Sequence, residues 1–147
     1  MMPNRYIPNL IVVFALFFMA PLSAQSIPEL EARLRNATAK DEQWDITYKL
    51  SKNWLVDAPD KAAVYANQAV QLAEELQDKK REAQAAMVGA DIARRGGRER
   101  EAAQLYARSK EAAVASSLPD LALQAVDHLL EIAVKQGDYK AAYEWSH

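Results

Sequence analysis

Lys61-Ala62-Ala63, Glu101-Ala102-Ala103 and Lys140-Ala141-Ala142-Tyr143 decide the fold. With Ala62, Ala102 and Ala142 taken as equivalent, the motif returns every 40 residues. The same offset carries Gln84 onto Gln124, Ala85 onto Ala125, Ala93 onto Ala133 and Gly97 onto Gly137. A fixed period of this size marks stacked helical units, and such arrays bind partners rather than catalyse. The third copy is still incomplete at His147, so the reading expects either more chain beyond it or a partner covering its apolar end.

Working outward, no alternating strand pattern occurs. Ala, Leu, Glu, Gln, Lys and Arg dominate, all good helix formers. Apolar residues recur at helical spacing, as in Ala62, Tyr65, Ala66, Ala69, Leu72, Ala73 and Leu76. Helices are expected over about residues 27–37, 42–56, 59–76, 81–95, 98–116 and 120–136, with a last one opening at Tyr139. Ser26 with Glu29 forms a capping box. Pro59 and Pro119 suit a first helical turn, and Gly96-Gly97 and Gly137 suit helix ends. Alanines such as Ala62, Ala69, Ala90, Ala93 and Ala102 let paired helices approach closely. Tyr65, Leu105, Tyr106 and Tyr143 then fill the space between pairs. The expected fold is all-α, a right-handed superhelical array of antiparallel helix pairs. It comprises a leading helix and linker (residues 25–40) and repeats over about 41–78, 79–117 and 118–147.

Residues 1–24 are expected to be a leader rather than fold. Arg5 supplies a positive start, Leu10 to Ala20 is unbroken apolar sequence, and Pro21-Leu22-Ser23-Ala24 offers small residues for cleavage before Gln25. As a helix the apolar run rises only about 16 Å, against roughly 30 Å of hydrocarbon. Export to the periplasm or outside the cell is the expectation; an uncleaved membrane anchor is the alternative. The chain has no cysteine, which excludes disulfides and a lipidated N-terminal cysteine. Its 18 Lys+Arg against 20 Asp+Glu lack the basic excess of a general nucleic-acid binder. The densest basic stretch, Arg94 to Arg100, has no interleaved aromatics and reads as a solvated turn. The two histidines, His128 and His147, have no spaced ligand partners, so no metal site, cofactor or catalytic residue is expected.

Gln136-Gly137-Asp138-Tyr139-Lys140-Ala141-Ala142-Tyr143-Glu144-Trp145 resembles the glycine turn and alanine-bearing second helix of the tetratricopeptide repeat. Gly97 to Ala103 is the corresponding stretch one unit earlier, and Asp57 to Ala66 is the first, with a proline turn. The period is 40 rather than the family's usual length of about 34. The chain also lacks the tryptophan and closing proline of the shorter pattern. The long form is similar to repeats in the extracytoplasmic part of some bacterial sensor kinases and related signalling proteins. The resemblance implies a non-enzymatic module that binds a protein or peptide in a groove lined by the first helix of each pair. Carried over, the groove residues are Trp44, Thr47, Ser51 and Trp54, then Gln84, Met87, Asp91 and Arg94, then Gln124, Asp127 and Glu131. Trp44 and Trp54 have a competing place in the core against the leading helix. The lysines and asparagines of the family's carboxylate clamp are absent from this face, which disfavours a chaperone-tail binder. A sensory role in signal transduction is expected, with a dimeric adaptor joined through the last helix as the alternative.

Overall fold

The computed structural model describes residues 25–145. All regular structure among them is α-helical: α1 (Ile27–Asn36), α2 (Lys40–Asn53), α3 (Pro59–Glu75), α4 (Lys79–Arg95), α5 (Glu99–Ala115), α6 (Pro119–Lys135) and α7 (Tyr139–Trp145). The leader expected over residues 1–24 lies outside the described residues. Among those described, no helix is long and apolar enough to cross a membrane.

The regularity of the array comes from one turn used four times. Helices α3 to α6 are each 17 residues long, separated by three-residue turns. In each turn one residue takes left-handed φ: Gln77 at 54°, Gly97 at 73°, Ser117 at 58° and Gly137 at 72°. The amide of that residue, and the next amide, bond back to carbonyls of the last helical turn. Gln77 N donates to Glu74 O at 3.0 Å and Asp78 N to Ala73 O at 3.0 Å. The same pairing recurs at Gly97–Arg98, Ser117–Leu118 and Gly137–Asp138. This is a Schellman end, which satisfies the otherwise orphaned carbonyls and reverses the chain.

Several helix ends differ from the expectation. α4 opens at Lys79 rather than Arg81, because the Asp78 carboxylate accepts the Arg81 amide at 3.0 Å and caps the helix earlier. α2 spans Lys40–Asn53 and stops at Trp54, three residues short of its expected start-to-end frame on the C-terminal side. At the N-terminus of α1, Ser26 N donates to Glu29 Oε2 at 3.0 Å, as the capping box requires.

Successive helices pack antiparallel, and α4 also touches α2 and α6, which lie on the same side of the array. The core is built largely from alanine. Ala62, Ala69, Ala73, Ala83, Ala85, Ala86, Ala90, Ala93, Ala102 and Ala113 are fully buried. Their small size lets helix axes come close, so larger residues are needed only at the seams. Tyr106 is the largest completely buried side chain, and Leu30, Ile46 and Leu50 fasten α1 onto α2. Polar atoms at the seams are satisfied: buried Ser109 donates from Oγ to Ala83 O at 2.8 Å, tying α5 to α4. Arg108 clasps three helices by reaching Glu74 of α3 and Glu82 of α4. Burial pushes the Glu82 carboxyl up, but hydrogen bonds and charge from Lys79 and Arg108 outweigh it and hold the group below the usual range.

Candidate functional site

The side of the array that carries α2, α4 and α6 holds a cleft of about 440 Å³. Tyr48 contributes from α2, Gln84, Met87 and Val88 from α4, and Leu118, Pro119, Asp120, Leu121 and Gln124 from the start of α6. The 40-residue repeat explains the convergence: Gln84 and Gln124 occupy equivalent positions, as do Tyr48, Val88 and His128. Three first helices in register therefore present matching faces side by side. The cleft has an apolar floor and an amide on each wall, which suits a segment of another chain.

Beyond the cleft, toward the C-terminal ends of α4 and α6, a polar hub joins α4, α5 and α6. Tyr106 Oη donates to Asp91 Oδ1 at 2.5 Å, and the His128 ring stacks on Tyr106 with centroids 4.7 Å apart. Glu131 Oε2 lies 3.3 Å from Arg94 Nη1 and 3.5 Å from His128 Nδ1. Burial, with the hydrogen bond to Asp91 behind it, raises the Tyr106 hydroxyl well above the ordinary tyrosine value. Tyr106 therefore stays protonated and donates at all physiological pH.

The structure sorts the expected groove residues into two sets. Gln84, Met87, Asp91, Arg94, Gln124 and Glu131 meet on this face, and Asp127, three residues beyond Gln124 and four before Glu131, shares it and is exposed. Trp44, Thr47 and Ser51 do not line this cleft; Thr47 instead borders a separate hollow with Leu34, Gln43, Gln68 and Leu72. Trp44 is only 5 % exposed, packed among Ala69, Val70, Ala73, Ala85 and Ala86. Tyr48 stacks on it at 4.8 Å, and the Arg81 guanidinium lies 5.1 Å over its ring. Arg81 is held there by Asp41 and Asp78. Thr47 and Ser51 are buried and spend their hydroxyls on their own helix, at Gln43 O, Trp44 O and Tyr48 O. Trp54 is half-buried between the α1–α2 and α3–α4 seams, with Lys61 Nζ 4.4 Å over its ring. Trp44 turns into the seam with α3 and α4 under Arg81, and α1 packs on Ile46, Leu50 and Trp54, so of α2 only Tyr48 reaches the open cleft.

Tyr106 and His128 belong to the polar hub on this face, where the sequence reading did not place them. His128 could have been found from the register, since it follows Tyr48 and Val88 at the 40-residue spacing. Tyr106 lies on a second helix and reaches the face only through its length. The basic turn at Arg94 to Arg100 is largely exposed; Arg94 pairs with Glu131 and Arg98 with Glu101. Among the described residues, no three or more His, Asp and Glu side chains gather to hold a metal ion.

Antiparallel pairs stacked with their first helices on one side define a tetratricopeptide-repeat array. The crystallised TPR domain of Arabidopsis FLU has this fold: it superposes with a TM-score of 0.66 over 74 % of this chain and 92 % of its own, at 24 % identity. The family described as the SusR N-terminal TPR domain matches residues 23–120 of the sequence. The chain belongs to that family of tetratricopeptide-repeat domains. No curated protein matches it.

Proposed function

We propose that this chain is a non-enzymatic binding module that holds a segment of a partner protein against the α2–α4–α6 face. The observation that carries the reading is the cleft in which Gln84, Met87 and Gln124 converge with Tyr48 and Leu121. Tetratricopeptide-repeat domains generally serve as scaffolds for protein partners, which supports the reading. Replacing Gln84 and Gln124 together by Arg should abolish recovery of the physiological partner, and Asn67→Arg on α3 should leave it intact. Equal recovery by all three proteins overturns the proposal.

The module acts outside the cytoplasm, as the input part of a signalling protein. The leader-like residues 1–24 support export, and the family's description as an N-terminal domain of SusR fits an input position. Fractionation of the native host should place the protein beyond the inner membrane with Gln25 at its N-terminus. Cytoplasmic recovery of chains still carrying Met1 contradicts this.

A second reading, a dimeric adaptor, is favoured by the apolar residues exposed around the last two helices: Leu123, Val134 and Tyr139 are each more than half exposed. Sedimentation equilibrium decides it, since a monomer across the micromolar range excludes a dimer through that end.

A further inference from the structure

The open part of the face has a chemistry more specific than protein binding. Its floor is apolar, from Met87, Val88 and Leu121, and Gln84 and Gln124 stand on its two walls. A primary amide presents a donor and an acceptor together, so it can bond both sides of a peptide unit. In a helical ligand those groups are already taken by the ligand's own backbone, whereas in an extended one they are free. The amide pair therefore favours an extended segment.

The α6 side of the rim is acidic. Asp120 lines the cleft at the first turn of α6, and Asp127 follows about one turn past Gln124 on the same face. Neither makes an ion pair or hydrogen bond within the described residues. Of the nearby cations, Arg94 is engaged with Glu131, Arg81 with Asp41 and Asp78, and Lys52 lies over the Tyr48 ring, while exposed Lys80 stands one turn before Gln84 on α4, across from the α6 carboxylates. Two unengaged carboxylates beside an apolar cleft complement a cation adjacent to an apolar side chain.

We infer that the site takes an extended peptide segment in which an apolar side chain fills the cleft and a neighbouring Lys or Arg pairs with Asp120 or Asp127. This rests on the groove reading above and narrows it to one class of sequence. The discriminating experiment pans a phage-displayed library of short random peptides against the purified exported chain. Enriched peptides are then synthesised, and their affinities measured by fluorescence anisotropy for the wild type and for the Asp120→Asn, Asp127→Lys, Gln84→Ala, Gln124→Ala and Asn67→Ala variants. All five positions are at the surface, and circular dichroism checks that each variant folds. Enriched peptides should carry an apolar residue within a few positions of Lys or Arg. Their affinity should fall about tenfold or more on Asp127→Lys, fall with added salt, and stay unchanged on Asn67→Ala. Acidic or neutral enriched peptides, or basic ones indifferent to Asp120→Asn and Asp127→Lys yet weakened by Gln84→Ala and Gln124→Ala, overturn the charge assignment and leave the groove standing. No enrichment, or binding indifferent to every groove variant, overturns the groove reading itself and this inference with it.

Discussion

Tyr106 Oη donates to Asp91 Oδ1 across 2.5 Å, so the largest buried side chain of the array is anchored to a carboxylate on the open face. Tyr106 is neutral below its ionisation and anionic above it, and the fold favours the neutral form. A folded-state value above the unfolded one means the contribution is fully present below about pH 10, the unfolded tyrosine value, and is lost as pH climbs above it. Stability should therefore decline in that alkaline range. Tyr48, also raised by burial, adds to the decline. Tyr106→Phe should flatten the alkaline limb of a stability–pH curve from urea unfolding, at a cost of about 1–2 kcal/mol at neutral pH for the lost bond to a charged acceptor. An unchanged alkaline limb contradicts the assignment.

Glu82 gives the opposite dependence. Its folded-state value is held below the unfolded one, so its contribution is present above about pH 4.5 and disappears as pH falls through the depressed value. Glu82→Gln should destabilise the protein by about 1–3 kcal/mol at pH 7, since Arg108 and Lys79 each lose a charged partner. The loss should shrink toward acid pH. A loss that stays constant from pH 7 to pH 3 excludes this origin.

The four Schellman turns differ in residue type but not in geometry. Gln77 and Ser117 hold left-handed φ with a Cβ, which costs an L-residue about 1 kcal/mol more than glycine. Gln77→Gly and Ser117→Gly should each raise stability by about 0.5–1 kcal/mol. Gly97→Ala should lower it by about 1 kcal/mol, although a Cβ there meets nothing within 4 Å, because the strain is in the backbone alone. Thermal unfolding of the three variants reads these signs directly, and a stabilising Gly97→Ala contradicts the turn geometry.

Trp44 is a core residue whose indole N–H has no hydrogen-bond partner among the described residues. Trp44→Ala should cost about 3–5 kcal/mol and Trp44→Phe considerably less, because the ring and not the N–H supplies the packing. Denaturant midpoints separate the two. A Trp44→Ala protein as stable as the wild type places the side chain outside the core.

The helical pairs, the alanine seams and two of the turns were legible because each has a local cause. Small residues recur at helical spacing, and glycine at Gly97 and Gly137 states its conformation openly. Gln77 and Ser117 adopt the same conformation without the residue type that signals it. Gln84, Asp91, Gln124 and Glu131 were placed on one face by the family resemblance, and the 40-residue register that pairs Gln84 with Gln124 and Asp91 with Glu131 agrees with their sharing it in the structure. The α2 half of the face left Trp44 and Trp54 between groove and core, because its closure depends on partners far along the chain. Trp44 is buried among Ala69, Val70 and Ala73 of α3 and Ala85 and Ala86 of α4, with Arg81 over its ring, and no spacing within α2 encodes those partners. Tyr106 was likewise hidden, since its role depends on reaching Asp91 from the far helix of its pair.

The central claim, that a partner segment lies on the α4–α6 part of the face, is tested most directly by site-specific photo-crosslinking in the native host. A photoreactive residue is placed in turn at Gln84, Gln124 and Asn67. The account predicts one shared adduct from Gln84 and Gln124, mapping to an apolar–basic stretch of the partner, and none from Asn67. An adduct from Asn67 with none from Gln84 or Gln124 contradicts it.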